Sequence, residues 1–246
     1  MLDTDFVFYH VPKCAGTSIR EILYKLFITK YTNDQIYIPG GIDNFPQAGT
    51  LSGIKYHGIN LTSVYQLDKI KKMLSEDNLR NIKVILCHVH KELYLHCGDN
   101  TRSMFIVRDP VNRLISHWNH FMHQEKGMCK VEELSQDELT DYCMQYSELY
   151  QKYLGFPAKC KWDRIKQSID NMTYVSTLES LNSTFPVILR RIIDDFSLNV
   201  NIDDFELPLK NVRTSTIDPD LRVRIYDIIS NQTNFQIYNY IKYKFI

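Results

Sequence analysis

The opening of the chain constrains its fold more than any other stretch. Asp5-Phe-Val-Phe-Tyr-His-Val11 is a short apolar run stopped by Pro12. A run without polar alternation suits a strand covered on both faces, as in a parallel sheet. Pro12-Lys-Cys-Ala-Gly-Thr-Ser18 follows as a loop of small residues, and Ile19, Ile22, Leu23, Leu26 and Phe27 then fall on one helical face. The same alternation continues downstream. Strands are expected at 83–89, 103–107 and 172–176, and helices at 64–79, 110–123, 131–154, 161–170, 179–196 and 218–243. Residues 31–60 read as loop with short strands, and 203–217 as loop. Strands alternating with helices predict an α/β fold with a mainly parallel central sheet flanked by helices. No repeat or linker interrupts it, so a single domain over 1–246 is expected.

Charge and composition narrow the function classes. Lys and Arg number 29, and Asp and Glu number 29. A chain-wide basic field for nucleic acid or an anionic membrane is therefore absent, and any anion site must be built locally. No run of 18 apolar residues occurs, so no transmembrane helix is expected. The N-terminus lacks the pattern of a signal peptide, so the chain reads as cytoplasmic as it stands. The 6 cysteines form no CxxC and no zinc spacing, so no metal site is expected. Reduced thiols are the default, with a Cys143–Cys160 or Cys129–Cys160 bridge open in an oxidising compartment.

Two stretches carry chemistry. The first is His10-Val-Pro-Lys-Cys-Ala-Gly-Thr-Ser18. A strand feeding a small-residue turn into a helix N-terminus makes an anion cradle, because free N–H groups and the helix dipole converge there. Lys13 adds a mobile charge, Gly16 permits close approach, and Thr17 and Ser18 add hydroxyls. The Walker A spacing is absent, and the same residues also suit a plain helix start with a surface lysine. The second is Arg108-Asp-Pro-Val-Asn-Arg-Leu-Ile-Ser116. Arg108 ends an expected strand, where open α/β sheets bind ligands. Asp109 and Pro110 suit the N-cap and first position of a helix. Arg113 and Ser116 share one face of that helix, so this stretch suits a phosphate grip. An ion pair of Arg108 or Arg113 with Asp109 explains it equally well.

Together, in this order and context, the two stretches resemble the sulfotransferases that use 3′-phosphoadenosine 5′-phosphosulfate (PAPS). H-V-P-K-C-A-G-T-S looks like their 5′-phosphosulfate loop, and R-D-P-V-N-R-L-I-S like their 3′-phosphate motif. Cys87-His-Val89 resembles the segment that carries the catalytic histidine in the uronyl 2-O-sulfotransferase type of glycan O-sulfotransferase, with cysteine in place of glycine. Asn211-Val-Arg-Thr-Ser215 resembles their basic, hydroxyl-rich cofactor loop. The resemblance implies a P-loop-like fold and transfer of a sulfuryl group from PAPS to a hydroxyl, leaving PAP. It implies Lys13 and His88 as catalytic residues. Lys13, Cys14, Ala15, Gly16, Thr17 and Ser18 would bind the 5′ end, Arg108 and Ser116 the 3′-phosphate, and Arg213, Thr214 and Ser215 would close over the nucleotide. It implies a glycan acceptor, with a protein tyrosine or a small alcohol as alternatives, and the Golgi lumen as the alternative compartment had an anchor been removed. A small-molecule or nucleotide kinase and an inactive nucleotide-binding protein are the other readings.

The remaining candidates read less sharply. His88 and His90 share a face of an extended segment, and a histidine titrates near working pH, as a base requires. His10 reads as a packed strand end. His117, His120 and His123 form a stripe read as solvated or facing the acceptor. Trp118 and Phe121 read as core or an adenine wall, and Glu179 as a helix cap. Tyr31, Tyr37, Tyr56, Tyr146, Tyr150, Tyr153 and Trp162, beside Lys126, Lys130, Lys159 and Lys161, are expected to wall the acceptor entrance or to be ordinary packing.

Overall fold

The computed structural model describes residues 3–38, 81–87, 98, 100–157, 159–205 and 218–246. Its strands are β1 (Phe6–Tyr9), β2 (Ile36–Tyr37), β3 (Val84–Cys87), β4 (Arg102–Val107) and β5 (Tyr174–Thr177). Its helices are α1 (Gly16–Phe27), α2 (Pro110–His117), α3 (Gln136–Tyr146), α4 (Leu149–Tyr153), α5 (Trp162–Asp170), α6 (Leu181–Asp195), α7 (Pro219–Ile229) and α8 (Thr233–Lys244). The strands form one sheet in the order β2-β3-β1-β4-β5, and every neighbouring pair is parallel. The fold is thus α/β and P-loop-like, as expected. Because β1 is the middle strand, the loop that leaves it emerges at the centre of the sheet's C-terminal edge, where such sheets bind ligands.

Alternation along each strand assigns the covering helices. Phe6, Phe8, Val84, Leu86, Met104 and Ile106 pack with Ile19, Leu23 and Phe27 of α1 and Phe185 and Leu189 of α6. Val7, Tyr9, Ile85, Phe105 and Val107 pack with Tyr150 of α4, Ile165 and Ile169 of α5, and Ile237 and Ile241 of α8. A third cluster joins α2, α3 and α7 through Leu114, Leu139 and Ile225. Each fully buried side chain of this size stabilises by roughly 1.5–3 kcal/mol, which fixes the helices that aim the site.

Several helices differ from the periodicity. Asp109 does cap α2, its Oδ1 accepting from Asn112 N at 2.9 Å with Pro110 in the first turn. The α-helical form stops at His117, however, and Trp118–Glu125 continues as a π-helix. The single helix expected over 131–154 is a 3-10 turn at Val131–Glu133, then α3 and α4. Ser135 restarts the chain at α3 with a capping box: its Oγ accepts from Glu138 N and Glu138 Oε2 accepts from Ser135 N. The single helix expected over 218–243 divides into α7 and α8. Asn234 explains the break. Its side chain is buried and its Oδ1 accepts from Tyr150 N and Gln151 N at 3.1 and 3.3 Å. Those bonds cap the start of α4 and tie α8 to it. Cys14, Cys129, Cys143 and Cys160 are unpaired, and Cys143 is buried in the third cluster, so neither bridge weighed from the sequence forms. The helix expected over 64–79 and most of the loop 203–217 lie outside the described residues.

Candidate functional site

The loop between β1 and α1 is held in a conformation that ordinary side chains disfavour. Lys13 and Ala15 both lie in the left-handed region, with φ of 69° and 57°. Such residues persist only where the surroundings over-determine them, and they cluster at functional sites. Cys14 between them is buried and anchors the turn: its N–H donates to Val11 O at 3.3 Å, and its Sγ lies 3.8 Å from Pro12 O and 4.0 Å from Tyr150 Oη. Burial pushes its thiol up to about 12, so it is a floor and not a nucleophile. Gly16 follows because His10 requires it. A Cβ at Gly16 would stand 1.6 Å from the buried His10 ring, which stacks on Phe8. His10 is therefore the packed strand end expected.

No side chain caps α1, and its first intrahelical bond is Ile19 N to Ala15 O. The amides of Gly16, Thr17 and Ser18 thus have no partner among the described residues. Free amides at a helix N-terminus, after a turn with left-handed residues, form an anion-binding concavity. Lys13 leaves the same turn, its Nζ 6.0 Å from the centre of the Phe121 ring. Partial burial lowers the Lys13 pKa, the Arg108 charge lowers it further, and Glu125 opposes both.

Arg108 meets this loop from β4, its Nη1 donating to Lys13 O at 3.3 Å. The two sequence stretches therefore converge. Arg108's own peptide is clamped by Tyr150, whose hydroxyl accepts from Arg108 N at 3.1 Å and donates to Arg108 O. The next residue, Asp109, is also fixed: its N–H donates to Glu179 Oε1 at 3.0 Å and its carboxylate pairs with Arg222 Nη2 at 3.2 Å. Glu179 is thus no helix cap but an acceptor for the strand end, with its pKa raised mainly by desolvation of its carboxylate. Arg113 pairs with neither Asp109 nor solvent; it is fully buried. Ser116 is half-buried on α2, without a hydrogen bond among the described residues.

The π-helix supplies a wall. Phe121 lies between Lys13 and His117, whose ring centre is 5.0 Å from that of Phe121 and 4.6 Å from that of Tyr146. His117 Nδ1 lies 2.8 Å from Tyr142 Oη, which donates to Leu114 O at 2.9 Å. With that proton committed, Nδ1–H donates to Tyr142 and Nε2 carries the lone pair. Burial, then Arg113, Lys13, His120 and Lys126, lower its pKa to about 4, so it is neutral at physiological pH. Trp118 belongs to the core, its Nε1 donating to Cys129 O at 3.0 Å. The expected tyrosine wall is mostly packing: Tyr31, Tyr37, Tyr150 and Tyr153 are buried, and of these tyrosines only Tyr146, half-buried, faces His117 among the described residues. Trp162 sits against Tyr240 of α8.

The sequence offers Tyr150 only as a wall of the acceptor entrance or as packing, and gives no sign of Arg222, because each acts across the fold. His88, His90, Arg213, Thr214, Ser215 and Tyr56 lie outside the described residues. Among the described residues no group of His, Cys, Asp and Glu has the makings of a metal site, and no helix is long and apolar enough to cross a membrane.

Comparison with known proteins gives one family. The model described as "Sulfotransferase family" matches residues 3–241. A solved sulfotransferase from Alicyclobacillus acidocaldarius is similar at a TM-score of 0.47 and 18% identity, covering 98% of this chain and 96% of that one. No curated protein matches the sequence.

Proposed function

The chain belongs to the sulfotransferase family, and we propose that it moves a sulfuryl group from PAPS to a hydroxyl, acting as one unit over residues 1–246. The observation that carries this is the convergence of Arg108 on Lys13 O beside an uncapped helix N-terminus. One loop of free amides and two cations can hold the two phosphate-bearing ends of a single nucleotide. The amides of Gly16, Thr17 and Ser18 hold the 5′ end, and Arg108 with Ser116 holds the 3′-phosphate. Arg213, Thr214 and Ser215 close over the nucleotide.

In the reaction the acceptor oxygen attacks sulfur as the bond from sulfur to the bridging oxygen breaks. Lys13 stabilises the charge that builds on that oxygen, and His88 takes the proton of the acceptor hydroxyl. PAP leaves. Positioning and fixed charge suffice for this chemistry, so the proposal needs no metal. The acceptor is a saccharide, entering past the Phe121, His117 and Tyr146 side of the loop. Exposed Lys126 and Lys130 beyond the π-helix suit an acidic sugar chain.

The test is thermal unfolding with PAP, AMP and ATP at equal concentration, since a ligand of the native state raises its stability by mass action. PAP is expected to stabilise far more than AMP or ATP. Equal shifts with AMP and PAP would remove the 3′-phosphate site, and preference for ATP would favour a kinase. Mass spectrometry of products from a saccharide panel and from acidic tyrosine peptides then decides the acceptor; sulfation of the peptides alone would overturn the saccharide assignment.

A further inference from the structure

We infer that Arg113 is an internal counter-charge for the anion site, a positioning residue that never touches the nucleotide but holds a positive charge behind the Lys13–Ser18 loop. The inference rests on the reading that this loop binds a phosphate.

Arg113 is a fully buried side chain, at 0% exposure. Among the described residues only one of its nitrogens is satisfied, Nη2 donating to Tyr146 O at 2.6 Å, while Nε and Nη1 have no hydrogen-bond partner there. No carboxylate among the described residues pairs with it. Asp109, the partner weighed from the sequence, is taken by Arg222, and Glu179 gives its Oε1 to Asp109 N. An arginine cannot shed its charge as a buried lysine can. A buried cation left without a counter-ion is costly, so a fold that keeps one has a use for the charge.

Its place indicates the use. The guanidinium lies over the Tyr150 ring, 5.5 Å from its centre. The hydroxyl of that same ring clamps the Arg108 peptide and lies 4.0 Å from Cys14 Sγ, in the floor of the loop. One aromatic ring thus separates the charge from the cradle. The surrounding groups register its field: Arg113 is the foremost charge acting on Cys14 and on His117. With Lys13 in the loop and Arg108 bonded to Lys13 O, three cations crowd it. A bound phosphate relieves that repulsion. Arg113 therefore raises affinity for the anion and lowers the stability of the free protein.

The experiment compares Arg113→Met, Arg113→Gln and Arg113→Lys in the full chain, with PAP as the probe. The neutral variants are expected to bind PAP about tenfold more weakly, which is about 1.4 kcal/mol. The lysine variant, assayed at about pH 6 to hold its ammonium protonated, is expected to stay within about threefold of wild type at that pH. Histidine NMR gives a ligand-free readout: the pKa of His117 should rise in the neutral variants and stay near its wild-type value in Arg113→Lys. Wild-type affinity in both neutral variants, or an Arg113→Lys variant as weak as they are, would overturn the inference. The latter result would make Arg113 a packing residue. A wild-type chain that binds no PAP removes the phosphate reading beneath it instead.

Discussion

Gly16→Ala is expected to destabilise the protein in the face of helix propensity. In a helix interior alanine is favoured over glycine by up to about 1 kcal/mol. At Gly16, in the first turn of α1, the new Cβ would stand 1.6 Å from His10 Cδ2 and 1.7 Å from His10 Nε2. Both atoms belong to a ring that is 5% exposed and stacked on Phe8, its centre 5.8 Å away. The ring cannot swing to solvent without leaving the core between β1 and α1, so either it or the helix start must shift. Overpacking of this kind costs typically 1–3 kcal/mol, and the overlap here is severe enough to reach the upper end, about 3 kcal/mol. Urea unfolding of wild type, Gly16→Ala, His10→Ala and the double variant measures this directly. Removing the ring opens the space that the methyl group needs, so the double variant should recover about 2 kcal/mol of the glycine penalty as a coupling term. PAP affinity should fall in Gly16→Ala and recover with it, because the displaced segment carries the loop amides. A Gly16→Ala variant within 0.5 kcal/mol of wild type, or strict additivity in the cycle, would refute the close-packing argument.

The two outer cations should separate in kinetics. Lys13→Ala is expected to lower kcat by about 10²–10³-fold, because its partner charge grows only in the transition state. Arg108→Ala is expected to weaken PAP by about tenfold or more, the loss of a charged hydrogen bond; calorimetric titration showing unchanged affinity would move the 3′-phosphate elsewhere. His117 should also make the protein acid-sensitive. Its native pKa is lowered to about 4, so as pH falls below about 6.5 the unfolded chain gains a proton that the native state refuses. Native stability should then drop by about 1–2 kcal/mol between pH 6.5 and 4, discounted for partial exposure, and level off below. His117→Gln should flatten that slope in urea titrations, and an unchanged slope would assign the sensitivity to other groups.

What the sequence revealed of the site follows its topology. The strand–loop–helix at 5–27 and the Asp109-Pro110 start of α2 were legible because each is a local pattern: an apolar run, a proline, a small-residue turn. Parallel pairing then forces both turns to the same edge of the sheet, so the convergence of Lys13 and Arg108 was already implied. The supports of those turns were not legible. Tyr150 reads along the chain as a wall of the acceptor entrance or as packing, yet its hydroxyl clamps a strand end 42 positions earlier. Arg113 looked like a phosphate grip or an ion-pair partner, because a charged residue one turn into an amphipathic helix ordinarily points outward. The third cluster closes over it instead, with α3 beside α2 and Tyr146 O satisfying only one nitrogen. The break between α7 and α8 is hidden because apolar residues resume at helical spacing after the polar Ser230–Gln232, while the bonds of Asn234 to Tyr150 N and Gln151 N are long-range. Residues that would touch a ligand sit at strand ends, where sequence order dictates position. Residues that hold those in place come from remote segments, and a pattern read along the chain assigns them to the surface. The field behind the loop, carried by Arg113, is for that reason a property of the packed structure.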